Sequence, residues 1–257
     1  MPELPDVEIF RQYAEKNALN RHIQKVTVDE PKIAESDEEE INQALKNQKL
    51  IRAERLGKYL LLPSTAEQIL VMHFGMTGWL DYQNKEKHRH TRASILFANG
   101  YALHFINPRK LGRISLTDDL NAFKKEKKIG EDALALHLEE FQYLIRKKKG
   151  TLKSFLMNQG ILAGIGNIYS DEILFQAAVD PKRQTSDLED YQQVYLFQSM
   201  KEVLHKAIEL NADPENMPSS FLLPRRKEGE KCPACGGDIR KNKVSGRNFY
   251  FCPNCQT

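Results

Sequence analysis

Two Cys-x-x-Cys pairs, Cys232/Cys235 and Cys252/Cys255, stand sixteen residues apart near the end of the chain and contain all of its cysteines. Each pair turns two sulfurs toward one point, and four thiolates suit one tetrahedral zinc ion. The residues between them read as a hairpin. Gly236-Gly237 turns the chain, Ser245-Gly246 forms a tip, and Asn248-Phe249-Tyr250-Phe251 is a strand. The spacing predicts a zinc ribbon holding one structural zinc. Two disulfides would need an oxidising compartment that nothing else in the chain supports. Arg240, Lys241, Lys243 and Arg247 gather around the tip. A stapled hairpin with a cationic tip is shaped to meet a phosphate backbone.

Bulk composition adds little, because a net charge of +3 on 257 residues announces no polyanionic partner. Placement of charge says more: cations dominate from Pro224 onward and form runs at Lys124–Lys128 and Arg146–Lys149. Any one run reads as a solvated face as readily as a binding patch. The length allows two or three domains, each with ample core. No apolar stretch reaches membrane-spanning length and the N-terminus lacks a signal layout, so a reducing cytoplasm and no membrane are expected.

The chain begins Met-Pro-Glu. Methionine before a small residue is normally trimmed, which would leave Pro2 as a free secondary amine. An α-amine has a pKa of about 7.7–8.0, so part of it is neutral and nucleophilic near neutral pH. Glu3 beside it is placed to move protons. Asp6 reads as the cap of a helix through Val7, Phe10, Tyr13 and Ala14, and Val26 and Val28 read as a strand. Ser36 with Glu39 reads as a capping box for a second helix. Strands then dominate. Leu50–Leu56 and Tyr59–Leu62 flank Gly57-Lys58, a hairpin with Lys58 at its tip, and Gln68–Phe74 follows. Ile95–Ala98 and Tyr101–Ile106 flank Asn99-Gly100, a strong hairpin signal. Met76 and Trp79 read as core, and Arg109 as a surface loop cation.

Residues 1–115 therefore read as a mainly β domain with helices packed on it, and 116–130 as a Lys-rich linker. Residues 131–212 read as helical. Within them Gly164-Ile165-Gly166 opens a helix at Asn167, and backbone N–H groups at such a start make a ready anion site. A plain helical bundle whose glycines permit close packing fits the spacing equally. Ser186 with Glu189 reads as another capping box leading a long helix. Residues 213–257 comprise the ribbon and an extended, proline-bearing connector that reaches back to Asn211.

Six stretches in this order are highly specific: MPELPDVE at the start, RLGKYLLL at 55–62, HFGMTG at 73–78, NPRKLG at 107–112, ILAGIGNIYSDEILFQAAVDP at 161–181, and CPACGGDI with GRNFYFCPNCQ at the end. Together they resemble the formamidopyrimidine-DNA glycosylase and endonuclease VIII family of bifunctional DNA glycosylase/AP lyases. The resemblance spans essentially the whole chain. It implies an α+β multidomain fold: an N-terminal β-sandwich with flanking helices, a helix–two-turns–helix domain, and a C-terminal zinc-ribbon finger. It also implies a base-excision-repair enzyme that excises oxidised bases through a Schiff base at Pro2 and then cuts the strand by β,δ-elimination. Glu3 looks like its acid/base and Lys58 like the hairpin lysine reaching the lesion phosphate and sugar. Asn167 and Arg247 look like a phosphate clamp, with Lys153 and His73 near the same backbone. Met76, Arg109 and Leu111 stand where a wedge fills the gap left by the everted base.

The implied partner is damaged double-stranded DNA, bound by a monomer in a bacterial-type cytoplasm and associated with the nucleoid. Asp6 departs from the family's usual Glu, Asn158 from an acidic residue, Lys110 from Arg, and Leu111 from an aromatic wedge residue. The competing expectation is a non-catalytic zinc-ribbon DNA-damage-binding protein, which would have no use for a free Pro2.

Overall fold

Alternating apolar residues in the first half of the chain build two sheets. The computed structural model describes residues 1–84 and 87–257. It divides into two compact units, Met1–Pro2 with Asp6–Lys127, and Glu3–Pro5 with Lys128–Thr257. In chain order the first unit carries α1 (Leu4–Ala18) from Asp6 onward, β1 (Ile23–Val28), α2 (Glu38–Leu45), β2 (Glu54–Leu56), β3 (Tyr59–Pro63) and β4 (Ile69–His73). It continues with β5 (Trp79–Gln83), β6 (Thr91–Phe97), β7 (Ala102–Ile106), β8 (Arg113–Thr117) and α3 (Leu120–Glu126). Among the described residues, two four-stranded antiparallel sheets form, ordered β1-β6-β7-β5 and β2-β3-β4-β8. Leu60, Leu62, Leu70, Met72 and Ile114 of one sheet meet Val26, Ile95, Phe97, Leu103 and Phe105 of the other in one apolar cluster. That is a β-sandwich. Each such side chain stabilises the fold by roughly 1.5–3 kcal/mol. The helix α1 adds Val7, Ala14 and Phe10, whose ring lies 4.5 Å from that of Phe74.

Several local expectations are corrected by tertiary contacts. The α1 helix starts at Leu4, so Asp6 lies in its first turn rather than at its cap. The Ser36 hydroxyl accepts from Leu116 N at 3.2 Å, and α2 opens one residue later behind Asp37 without the expected box. In the β6–β7 hairpin Gly100 takes a positive φ of 83° and Asn99 does not. The loop therefore has three residues, closed by Gly100 N to Phe97 O at 3.0 Å and Phe97 N to Tyr101 O at 2.9 Å. The Lys-rich stretch expected as a linker contains α3, capped by the Asp119 carboxylate. Its Phe123 is buried edge-on against Tyr59, ring to ring 5.5 Å. Met76, expected in the core, is 39 % exposed, and Trp79 is half-buried beside His88.

The second unit carries β9 (Glu131–Asp132), α4 (Leu138–Lys147), α5 (Leu152–Leu156), β10 (Leu162–Ala163), α6 (Asn167–Gln176), α7 (Asp190–Glu209), β11 (Arg240–Val244) and β12 (Arg247–Phe251). Phe141, Ile145, Leu152 and Phe155 pack with Ile173, Leu174, Leu196, Met200 and Leu204 in its core. The capping box of α7 is Glu189 with Gln192, while Ser186 lies in a preceding 3-10 turn. From Tyr169 to Phe175 every residue of α6 is buried, Ser170, Asp171 and Glu172 included. Buried polar groups need partners. The connector supplies some of them: far from being extended, it makes 3-10 turns at Pro214–Asn216 and Leu223–Arg225 and buries Met217 and Leu222.

The Glu172 carboxylate accepts from Leu222 N at 3.1 Å and Leu223 N at 2.7 Å. Burial outweighs these donors and pushes its pKa from 4.5 up to about 7. The sign follows from linkage. The folded chain holds a proton that the unfolded chain releases, so this contribution is full below about pH 4.5 and is lost as pH rises through 7. A shift of this size corresponds to roughly 3 kcal/mol. Glu172→Gln is expected to remove that decline, read as the difference in urea midpoint between pH 5 and pH 8.

Candidate functional site

The Gly164–Gly166 turn does form an anion site, and the anion is the chain's own Glu3. Its Oε2 accepts from Gly166 N at 2.7 Å and Tyr169 N at 3.2 Å, and its Oε1 accepts from Ile168 N at 2.8 Å. Glu3 has no accessible surface, and Leu4 N donates to Gly164 O at 2.9 Å alongside it. A side chain at Gly166 would overlap the carboxylate, which explains the glycine. Three N–H donors at the positive end of α6 suit a carboxylate well. The next residue toward the N-terminus is Pro2, half-buried, preceded by an exposed Met1.

The start of α6 also meets the ribbon. Asn167 Nδ2 donates to Asn248 O at 3.0 Å, which brings Asn167 beside Arg247, the first residue of β12. Arg247 is exposed and lines a cleft of about 330 Å³ with Ser154, Met157, Asn158 and Ser245. Lys153 borders the same cleft. It is 1 % exposed, and its ammonium donates to Asn167 O at 2.8 Å, Ser170 Oγ at 2.7 Å and Asp171 Oδ1 at 2.5 Å. Its ammonium is thus engaged by three acceptors inside the unit and ties α5 to the start of α6. Burial pushes the Lys153 ammonium down and the Asp171 carboxyl up, each opposed by their mutual attraction.

In the first unit Lys58 sits at the β2–β3 tip, after Gly57 at φ 56°, and is 8 % exposed. The hairpin is braced from below: Arg55 Nη1 donates to Gly57 O at 3.2 Å and Arg55 Nε pairs with Glu8 at 3.0 Å. His73 faces Tyr59 across the β3–β4 ladder, ring to ring 5.0 Å. Its Nδ1 accepts from Gly75 N at 3.3 Å, which leaves the proton on Nε2. Burial, then the charge of Lys58, pushes its pKa down to about 4. At neutral pH His73 is therefore an uncharged Nε2–H donor.

Met76 and Leu111 are 39 % and 44 % exposed, and Arg109 is exposed near them. They ride on two loops clipped together by Asn107, which is wholly buried. Its Nδ2 donates to Phe74 O at 2.9 Å and its Oδ1 accepts from Leu111 N at 3.0 Å. Gly75, at φ 62°, lies so close that a Cβ would stand 2.5 Å from the Leu111 carbonyl carbon. Exposed apolar tips on rigid loops have the form of an intercalating wedge. Asn107, Asp171, Arg226 and the Glu8–Arg55 pair escape a reading of the sequence by pattern. For Asp171 a signal is nonetheless present, as an acid inside an otherwise apolar helical stretch.

The sulfurs of Cys232, Cys235, Cys252 and Cys255 all lie within 4.8 Å of one another. Cys232 to Cys255 is 3.8 Å and Cys235 to Cys252 is 3.5 Å. A tetrahedron of sulfurs about 2.3 Å from zinc has edges of about 3.8 Å, so the four thiols fit one zinc ion.

Family profiles match along the chain: "Formamidopyrimidine-DNA glycosylase N-terminal domain" at residues 1–114, "Formamidopyrimidine-DNA glycosylase H2TH domain" at 129–218, and "Zinc finger found in FPG and IleRS" at 229–257. The chain is 35 % identical to the formamidopyrimidine-DNA glycosylase of Pelotomaculum thermopropionicum over 274 positions, covering 100 % of this chain and 99 % of that one. It is 34 % identical to that of Haemophilus influenzae over 273 positions, with the same coverage. Among solved structures, Lactococcus lactis Fpg bound to Fapy-dG-containing DNA superposes with a TM-score of 0.90 at 30 % identity, covering 99 % of this chain and all of the other. The same protein with abasic-site DNA gives 0.88 at 30 % identity, covering 99 % of each chain. With matching profiles along most of its length and relatives aligned end to end, the chain belongs to the formamidopyrimidine-DNA glycosylase family.

Proposed function

We propose that the chain excises oxidised bases from double-stranded DNA and then cuts the strand at the abasic site, as a bifunctional DNA glycosylase/AP lyase of base-excision repair. The observation that carries this reading is the Glu3 carboxylate, fixed by three backbone donors, immediately after Pro2. The Pro2 nitrogen, freed by loss of Met1, attacks C1′ and displaces the base, which leaves with a proton. Glu3 supplies and removes protons as the sugar ring opens and an iminium forms. The iminium acidifies C2′; loss of that proton expels the 3′ phosphate, and a second elimination expels the 5′ phosphate. Lys58 contacts the lesion phosphate and sugar, and His73 donates through Nε2 to the same backbone. Asn167 and Arg247 clamp the phosphates while Met76, Arg109 and Leu111 fill the gap. Eversion costs a few kcal/mol, which wedge and phosphate contacts must offset.

Zinc held by the four cysteines is structural and shapes the ribbon that carries Arg247. The chain works as a monomer in the bacterial cytoplasm, at the nucleoid; among the described residues no helix is long and apolar enough to cross a membrane. The non-catalytic alternative is not favoured, because it gives Pro2 and Glu3 nothing to do and the curated relatives carry a glycosylase name.

Substrate choice follows from the connector. Family members that favour 8-oxoguanine fold a loop from this region over the everted base. Here the connector is held down by Glu172 and by buried Met217 and Leu222. A pocket without a lid selects by ease of eversion, which favours non-planar bases that stack poorly. Leu111 cannot stack on an orphaned cytosine as an aromatic would. Single-turnover cleavage of matched duplexes is expected to be fast for formamidopyrimidines, hydantoins and abasic sites, and at least about tenfold slower for 8-oxoguanine opposite cytosine. Equal rates would overturn the lid reading; no cleavage of any of them would overturn the function.

A further inference from the structure

Asp171 is a charged side chain with no accessible surface, and no step of the proposed chemistry uses it. Such a group persists where its neighbours satisfy its lone pairs. They do so from three directions. Oδ1 accepts from Lys153 Nζ of α5 at 2.5 Å. Oδ2 accepts from Arg226 Nε of the connector at 2.7 Å and from the Tyr250 N–H of β12 at 3.1 Å. Arg226 also lies over the Tyr250 ring, 4.9 Å from its centroid. Both cations reach onward to the Asn167 carbonyl, Lys153 at 2.8 Å and Arg226 at 3.2 Å.

The strand explains why the carboxylate is there. Val244 pairs with Arg247 across the Ser245-Gly246 tip, so the backbone groups of Arg247, Phe249 and Phe251 face β11. Those of Asn248 and Tyr250 face away and would form an unpaired edge. The α6 helix covers both: Asn167 Nδ2 donates to Asn248 O at 3.0 Å, and Asp171 accepts the Tyr250 N–H. Four residues on a helix rise about 6 Å, and two on a strand about 6.7 Å. The two contacts therefore run in step along helix and strand.

The geometry points to Asp171 as the positioning residue that seats the zinc ribbon on α6 and thereby sets the spacing between Asn167 and Arg247. The inference rests on the reading of those two residues as the phosphate clamp. Zinc gives the ribbon its shape; Asp171 gives it its aim.

Asp171→Asn keeps the side-chain shape and removes the charge that gathers Lys153 and Arg226. The variant is expected to retain one zinc per chain while the Tyr250 amide exchanges faster with solvent. Its affinity for a duplex bearing a tetrahydrofuran abasic analogue should fall about 10- to 100-fold, and the slope of log affinity against log salt should drop by about 0.9 for each phosphate that the clamp no longer neutralises. A residue serving stability alone would lower the active fraction without moving that slope. Arg226→Gln removes one arm of the same assembly and decides the matter if Asp171→Asn does not fold. Wild-type affinity and slope in the folded variant overturn the inference. Failure of the functional reading is distinct, because then the wild-type protein itself would show no preference for the abasic duplex.

Discussion

Glu3→Gln is expected to bind abasic DNA nearly as well as wild type while cutting it about 10²- to 10⁴-fold more slowly, the range for loss of a general acid/base. The substitution is not a silent isostere. Both oxygens of Glu3 accept backbone N–H groups, two on Oε2 and one on Oε1. An amide must turn its NH₂ toward at least one of those donors, which leaves a buried N–H unpaired at a cost of about 1–3 kcal/mol. The variant should therefore also melt earlier, and single-turnover rates must be taken below its transition. The companion experiment is borohydride trapping with abasic DNA. A covalent adduct is expected on Pro2, Pro2→Gly should keep some of it through a primary amine, and retained Met1 should abolish it. An adduct mapped to Lys58 would overturn the assignment of the nucleophile.

Cys252→Ser is expected to collapse the ribbon and to weaken DNA binding by at least about 100-fold. Beyond buried Phe249 and the polar contacts to α6 and Ser154, the hairpin has only a small core to hold its base. Arg240 to Lys243 are all exposed, and its apolar cluster is Ile239, Phe175, Leu222 and the buried cysteines. Structural zinc in isolated fingers contributes about 10–16 kcal/mol to folding, more than such a core supplies. Cys252 is also tied at its backbone, its N–H donating to Gln256 Oε1 at 2.9 Å, while Gln256 Nε2 donates to Val179 O at 3.0 Å. Disorder should therefore spread to the end of the chain and stop at the helical core around α7. Metal analysis of the pure wild-type protein should give one zinc per chain, and its absence would sink this prediction.

Legible in the sequence is whatever is decided locally or by covalent spacing. The cysteine pairs announce their cluster, and Gly57-Lys58 announces a hairpin, because ligand spacing and turn chemistry need no distant partner. Caps are misplaced where a distant group engages the side chain, as Leu116 N engages the Ser36 hydroxyl. The helix α3 is hidden because lysines surround its buried Phe123, and their charge masks a short amphipathic pattern. The Glu3 clamp lies out of reach of any pattern rule, since its donors stand more than 160 residues away along the chain. The ion pair of Lys153 with Asp171 is equally out of reach of pattern, since its partner stands 18 residues away on another helix.

The stepwise match between α6 and β12 leaves one dimension of the molecule open to variation. Both clasped edge groups, Asn248 O and Tyr250 N, lie on the cysteine side of Arg247. Residues added in pairs between Val244 and Arg247 would give up one tip contact, Ser245 Oγ to Ser154 Oγ at 3.1 Å, and leave the cysteines and the clasp in place. Hairpin length is thus a trait that descent, or a protein engineer, can tune almost independently of folding. Arg240, Lys241, Lys243 and Arg247 would stay where they are, and only the residues added beyond them would give the arm new reach.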